Sequence, residues 1–346
     1  MAQGKKIIRY TFITVLAILL FLIWRIFGSN TNFEEGKKSV YIKTGSTFLR
    51  VAKELDNKGV VTNTKSFSLL ARFFGYKQNI KPGKYVFEKG ASLYTILKTL
   101  KSGKQTPVNL VINKLRTKED LAEKIAANFE CDPETVINFL KSNDSLAAFN
   151  LDSNTVMTAI IPNTYSLIWN TSFPKIFRRL YSEQQKFWND ERKKKAAATG
   201  LTPQQVYTLA SIVEEETNKE EDKGKIASVY INRMNNGMRL GADPTIKFAL
   251  KDFGLKRIYE KHLKVQSPYN TYLYSGLPPG PICTPSAKTI EAVLNAPATG
   301  YLYFVAKPDL NGYSNFASTY EEHLRYAKAY QQALDTLMLK KAGGIN

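Results

Sequence analysis

Three consecutive carboxylates, Glu214, Glu215 and Glu216, close the stretch LASIVEEET at Leu209–Thr217. A carboxyl group held against apolar surroundings can stay protonated at neutral pH and act as a general acid. At about 100° per residue, Val206, Leu209, Ile212 and Val213 gather on one side of a helix. Glu216 follows Leu209 by seven residues, Ile212 by four and Val213 by three, so it continues that stripe, while Glu214 and Glu215 fall to either flank. The same pattern also fits a helix that ends at Val213 and leaves all three glutamates solvated.

Further along, SPYNTYLYSGLPPGPICTPS, Ser267 to Ser286, sets Tyr269, Asn270, Tyr272 and Tyr274 among prolines and glycines. Proline lowers the entropy cost of fixing a loop, and a stiff loop with aromatic faces and an amide suits a sugar. It equally suits a structural crossover with surface tyrosines. His262 and His323 are the only histidines, and neither H-E-x-x-H nor G-x-S-x-G occurs, which argues against a zinc protease and a serine hydrolase. His323 stands in STYEEHLRY, where Ser318 and Glu321 suggest a capping box. It reads as a first-turn helix residue or as a substrate contact. Cys131 and Cys283 suggest neither a disulfide framework nor a zinc site, and nothing calls for a metal or another cofactor.

The elements that must position these groups can be read locally. Thr202, Pro203 and Gln205 form a helix entrance with a capping box for the LASIVEEET helix. KIASVYINRM supplies a second apolar helix, and Asp243-Pro244-Thr245 starts another. From TPVNLVI onward the pattern is mostly helical, with starts at Thr117 and at Asp132-Pro133, and ERKKKAAATG reads as a solvated helix end. Upstream, VYIKTG and GKYVF read as strands. Between and after them lie helices beginning at Ser46 or Thr47, in TKSFSLLARFFGY, and in SLYTILKTLKSG. This makes a compact α+β unit from about Ser39.

GSNTNFEEGKK before that unit is a polar linker, and Tyr10 to Trp24 is free of charge, with Ile7 and Ile8 extending the run toward the ~20 residues of a membrane span. The bulky LIWRIF end, without a small-x-small cleavage site, favours a retained anchor over a signal peptide. Lys5, Lys6 and Arg9 precede the span, which predicts a cytoplasmic N-terminus and an external remainder. The net charge of +19 suits an anionic partner. The topology disfavours nucleic acid and leaves acidic lipid or an acidic envelope polymer.

In order along the chain, LASIVEEET, ASVYINRMNNGMRLGADPT, SPYNTYLYSGLPPGPICTPS, YLYFVA and FASTYEEH resemble the MltG (YceG-like) family of membrane-anchored endolytic murein transglycosylases. The resemblance implies an α+β protein with a cytoplasmic N-terminus (1–9), a single transmembrane anchor (10–27), a linker (28–38), a LysM-like domain (39–105) and a YceG-like catalytic domain (106–346). It puts the catalytic acid at the last glutamate of E-x-E-T, Glu216, the residue that helical phase also selects. A groove lined by Asn163, Tyr165, Arg239, Asp243, Tyr269, Asn270, Tyr272 and His323 is implied as well. The chain departs from the family at TAIIPNTY, where Asn163 replaces an aspartate and no acid closely precedes it.

The resemblance further implies cleavage of nascent peptidoglycan strands between N-acetylmuramic acid and N-acetylglucosamine, giving 1,6-anhydromuramyl ends and terminating strand growth. No cofactor is implied. The setting would be the bacterial cytoplasmic membrane, with peptidoglycan polymerases and the elongation or division machinery as partners. Two other readings remain open: a hydrolytic muramidase using Asp222 or Asp243 as second carboxylate, and a non-catalytic glycan-binding scaffold for envelope synthesis enzymes.

Overall fold

The structure is a computed structural model that describes residues 2–342; Met1, residues 343–346 and the side chains of residues 2–5 and 340–342 lie outside the described parts. The chain runs α1 (Ala2–Phe27), β1 (Lys37–Ile42), α2 (Phe48–Asn57), α3 (Thr64–Phe73), β2 (Gly83–Glu88), α4 (Leu93–Ser102), β3 (Val108–Ile112), α5 (Lys118–Asn128), α6 (Pro133–Lys141) and α7 (Asn143–Ala147). It continues through β4 (Asn163–Leu167), α8 (Phe173–Phe187), α9 (Asp190–Ala198), α10 (Pro203–Glu216), α11 (Glu220–Asn235), α12 (Asp243–Leu250), α13 (Glu260–Leu263), α14 (Ala287–Leu294), β5 (Tyr303–Ala306), β6 (Ser314–Ala317) and α15 (Tyr320–Ala342). The strands pair as β1–β2, β3–β4 and β5–β6, so the protein is mixed α+β with helices carrying most of the core.

Two compact units emerge. The smaller comprises Met1–Leu110 with Ala126–Cys131 and Ser166–Ser172. Its α1 contains a 22-residue stretch, Lys6–Phe27, with a mean hydropathy of 2.3, long and apolar enough to cross a membrane once. Next comes a β-α-α-β order in which β1 and β2 pair antiparallel, Val40 opposite Tyr85. The helix starts are set by short side-chain caps. Thr47, Asn63 and Ser92 accept the backbone N–H of Arg50, Ser66 and Thr95, and Gly103 ends α4 with φ +71°. Val40, Leu55, Phe67, Tyr85, Ile96 and Leu100 form a fully buried core, each such side chain stabilising by roughly 1.5–3 kcal/mol. The unit exceeds the continuous stretch 39–105 because returning segments close on it. Glu130 accepts from the Thr44 N–H and hydroxyl at 2.8 and 2.7 Å, Trp169 packs on Tyr41, and Asn170 accepts from Gln105.

The larger unit comprises Val111–Ile125, Asp132–Tyr165 and Phe173–Asn346. At its centre α10 is buried on every side from Val206 to Val213. A one-sided stripe underestimates this: Thr208 and Ser211 are also enclosed, their hydroxyls donating to the carbonyls of Gln204 and Thr208 at 2.9 and 2.7 Å. Ile212, Val213, Ile226, Tyr230, Ile290 and Val293 share one core across α10, α11 and α14. The expected capping box at Thr202 and Gln205 is present. The hairpin of β5 and β6, with Phe304 opposite Phe316, interrupts a stretch whose pattern is otherwise mostly helical. Its strands are only four residues each, too short for alternation to stand out. The cap of α15 is shifted by one residue from the expected Ser318 and Glu321. Thr319 accepts the Glu322 N–H at 3.2 Å, and Glu322 accepts from the Ser318 N–H at 3.3 Å.

Candidate active site

The last turn of α10 extends to Glu216 and is capped at Thr217, so the helix does not stop at Val213. Its three glutamates meet different chemistry. Glu215 accepts from Nε and Nη2 of Arg116, both at 3.1 Å, and lies 3.2 Å from Lys114. Those cations are delivered by backbone pairing around Leu115, which donates its N–H to the Thr284 hydroxyl at 2.9 Å and accepts the Thr284 N–H at 2.7 Å. Burial pushes the Glu215 pKa up, but the Arg116 hydrogen bonds and the charges of Lys114 and Arg116 outweigh it and hold the carboxylate below its ordinary range. Glu214 accepts from Ser286 and Thr289 and lies 3.3 Å from the buried Lys223.

Glu216 has a phenol instead. Tyr230 of α11 donates to Glu216 Oε1 at 2.6 Å. Glu216 is half-buried, and its carboxyl is crowded by protein. Desolvation is the largest influence and raises its pKa from 4.5 to about 7; the Tyr230 hydrogen bond opposes this, Asp243 adds to it, and the charges of Arg233 and Lys247 oppose it. An acid poised near neutrality can both donate and accept a proton within one reaction cycle.

Around it, α12 supplies Asp243 and Lys247, one helical turn apart. Asp243 does not cap its own helix; its Oδ1 accepts from the Tyr272 hydroxyl at 2.6 Å. Tyr272 is brought there by a pinned loop. The Thr271 hydroxyl accepts the Ala242 N–H at 3.0 Å, the Thr271 carbonyl accepts the Gly241 N–H at 3.1 Å, and Arg239 donates to the Tyr272 carbonyl at 3.0 Å. Gly241, at φ +58°, provides the left-handed turn that lets its N–H reach the loop.

Of the residues expected in the groove, Glu216, Asp243, Tyr272 and Arg239 come together. His323 joins them only through Arg233. Its ring stacks on Tyr303 with centroids 5.3 Å apart, Arg233 lies 5.5 Å over the same tyrosine, and burial and the Arg233 charge both push the imidazole pKa down.

The others make different contacts. Asn270 is fully buried and spends its side chain on the loop, donating to Leu263 and Val265 carbonyls at 2.8 Å and accepting the Tyr272 N–H at 2.9 Å. Tyr269 packs on Phe248 with centroids 4.6 Å apart. Tyr165 is buried with its hydroxyl on the Ile161 carbonyl, and Asn163 is exposed with its amide oxygen on the Thr164 N–H. Asp222 is buried and accepts the Ser314 N–H at 2.7 Å, anchoring β6. Tyr230, Arg233 and Lys247 are the neighbours of Glu216 that sequence reasoning missed. A tyrosine and an arginine three residues apart in SVYINRM were the available signal.

A half-buried glutamate with its pKa raised to about 7, hydrogen-bonded by a phenol and close to the charge of Asp243, is an arrangement capable of acid–base chemistry on an α+β scaffold. The model of the YceG-like family matches residues 40–329, and the chain belongs to that family. It is 30% identical over 314 residues to the endolytic murein transglycosylase of Bacillus subtilis, covering 84% of each chain. It is 28% identical over 326 residues to the endolytic murein transglycosylase of Streptococcus pneumoniae D39, covering 83% of this chain and 57% of the longer pneumococcal protein. The 2.6 Å crystal structure of a YceG-like protein from Listeria monocytogenes superposes with a TM-score of 0.58 at 28% identity, covering 84% of this chain and 99% of the other.

Proposed function

We propose that the protein is a peptidoglycan lytic transglycosylase that cleaves within glycan strands, with Glu216 as both acid and base. The observation that carries this is the neutral-range Glu216 carboxyl on Tyr230, with the neighbouring Asp243 engaged by Tyr272. Protonated Glu216 donates to the glycosidic oxygen as the bond from C1 of N-acetylmuramic acid to that oxygen breaks. The muramyl C6 hydroxyl then bonds to C1 and gives its proton to the ionised Glu216. The 1,6-anhydro end forms, the glutamate returns to its starting state and no water enters. Intramolecular attack at high effective concentration replaces a second carboxylate. Tyr272, set by Asp243, and Arg239 line the approach to the sugar.

In this reading α1 anchors the enzyme in the bacterial cytoplasmic membrane, with the chain after α1 outside it. The β-α-α-β order of the small unit supports a LysM-like glycan-gripping role. Cutting nascent strands ends their growth, which makes polymerases and the elongation or division machinery the natural partners.

The test is mass spectrometry of glycan ends after incubating the full chain, in detergent, with peptidoglycan, beside its Glu216→Gln variant. Ends one water lighter than hydrolytic ends, absent with the variant, are expected. Reducing muramyl ends would instead make the protein a muramidase and move Asp243 into the role of second carboxylate. A Gln variant that cuts as well as wild type would remove Glu216 from the chemistry.

A further inference from the structure

The small unit exposes apolar surface where α1 leaves its apolar stretch. Arg25, in the last turn of α1, donates to the Ser66 hydroxyl of α3 at 3.4 Å. Phe27, in the same turn, packs on Tyr94 with ring centroids 5.3 Å apart; Tyr94 meets Phe74 at 6.0 Å, and Phe74 meets Phe73 at 5.4 Å. Both ends of α3 are thus tied to one turn of α1, so α3 runs across the end of that helix. At about 100° per residue, Leu69 and Phe73 fall on the Ser66 side of α3. They are 72% and 84% exposed, whereas Phe67 and Ala71 on the opposite side are fully buried.

Lys65 and Arg72 flank this stripe, and α3 carries no acidic residue. Beside it opens a cavity of about 360 Å³ walled by Phe74, Tyr94 and Leu97, with Lys98 and Lys101 at its edge. Apolar side chains edged by cations and continuous with a span match the layered chemistry of an anionic bilayer surface.

We propose that α3 lies in the headgroup layer of the membrane that α1 crosses, with Leu69 and Phe73 against the acyl chains and Lys65 and Arg72 on anionic phospholipid headgroups. The consequence is orientation: the small unit is held flat at the leaflet instead of swinging on the linker. This rests on α1 spanning the bilayer and is independent of the reaction proposed for Glu216.

The experiment places the full chain carrying Phe73→Trp in nanodiscs, singly occupied, with acyl chains brominated, in phosphatidylglycerol or in phosphatidylcholine. Quenching of native Trp24, inside the apolar stretch, verifies insertion of α1 in every sample. In phosphatidylglycerol the emission added by the substitution should fall by about half or more. The further changes Lys65→Glu and Arg72→Glu should restore most of it, and phosphatidylcholine should quench it less. Unquenched added emission beside a quenched Trp24 overturns the proposal. Equal quenching in both lipids, indifferent to charge reversal, overturns the assignment of the basic flank. Shielding that appears only in discs holding two copies gives the surface to a second chain and overturns it too.

Discussion

Glu215 and Glu216 are neighbours on one helix turn, yet they are put to opposite uses. Glu215 faces the segment around Leu115 and is clamped by Arg116 and Lys114; Glu216 faces α11 and α12 and is held by the neutral hydroxyl of Tyr230. Both are crowded by protein, and in both desolvation is the largest single influence. What separates them is compensation. Two cations reverse the effect of burial and lock one carboxylate as an anion, whereas a single phenol leaves the other near neutrality. The helix therefore sets one glutamate as a fastener and leaves the next as the reagent proposed for the reaction, through a rotation of about 100°.

The largest expected break in that contrast comes from removing each proton site in turn. Glu216→Gln keeps an acceptor for Tyr230 but cannot cycle a proton, so lytic turnover should fall by about 10³-fold or more with unchanged circular dichroism. Glu215→Gln should keep most activity per folded molecule and lose stability instead, since it strands Arg116 and Lys114 beside a neutral amide. The cations are partly solvated, 35% and 37% exposed, so a loss of about 1–3 kcal/mol in denaturant unfolding at pH 7 is expected rather than the larger penalty of a fully buried pair. If Glu215→Gln abolished cleavage in a stably folded protein, the division between fastener and reagent would fail.

The same pair should respond to pH with opposite signs. Glu216 holds its proton more tightly folded than unfolded, so its favourable contribution is complete below about 4.5 and is lost as pH rises through about 7. Glu215 is held below its ordinary range, so its contribution is present at neutral pH and is lost as acid protonates the folded carboxylate. Thermal unfolding should therefore show Glu216→Gln gaining on wild type between pH 5 and pH 8, by up to about 2–3 kcal/mol before solvent contact is discounted. The deficit of Glu215→Gln should shrink toward low pH. A Glu216→Gln variant whose midpoint tracks wild type across that interval would show that the folded carboxyl is not raised.

Much of this was written locally in the chain. Thr202, Pro203 and Gln205 announce the start of α10, and the spacing of Leu209, Ile212 and Val213 selects Glu216 because both are periodic facts about one helix. The partners were not legible in the same way. Tyr230 reaches Glu216 from fourteen residues downstream, after a turn whose geometry no periodicity encodes. Arg116 reaches Glu215 across ninety-nine. Residue type also misled in the proline-rich loop. Asn270 suits a sugar as well as it suits a loop staple, and only its three backbone partners show that its hydrogen-bonding capacity is spent internally. Tyr165 carries the same lesson, its hydroxyl already satisfied by Ile161 inside the core.

The smallest expected effects discriminate most finely, because they separate the two influences that set the Glu216 pKa from opposite sides. Tyr230→Phe removes a hydrogen bond that lowers it, and Asp243→Asn removes a negative charge that raises it. If the protonated carboxyl is the working acid, activity declines on the alkaline side as Glu216 ionises. Tyr230→Phe should then move that limb to higher pH and Asp243→Asn to lower pH, each by about half a unit to one unit. Rates measured from pH 5 to pH 9 with the release of anhydro ends as readout would resolve both. Asp243→Asn also takes the acceptor from Tyr272, so Tyr272→Phe serves as the control: it removes the same hydrogen bond without removing the charge. A limb that moves down with Asp243→Asn but not with Tyr272→Phe assigns the shift to the field of Asp243. Equal displacement by both would mean that Asp243 acts by placing the tyrosine. Loss of all turnover with Asp243→Asn while Tyr272→Phe retains it would make Asp243 a participant in the chemistry and return the hydrolytic mechanism, with its two carboxylates, to first place.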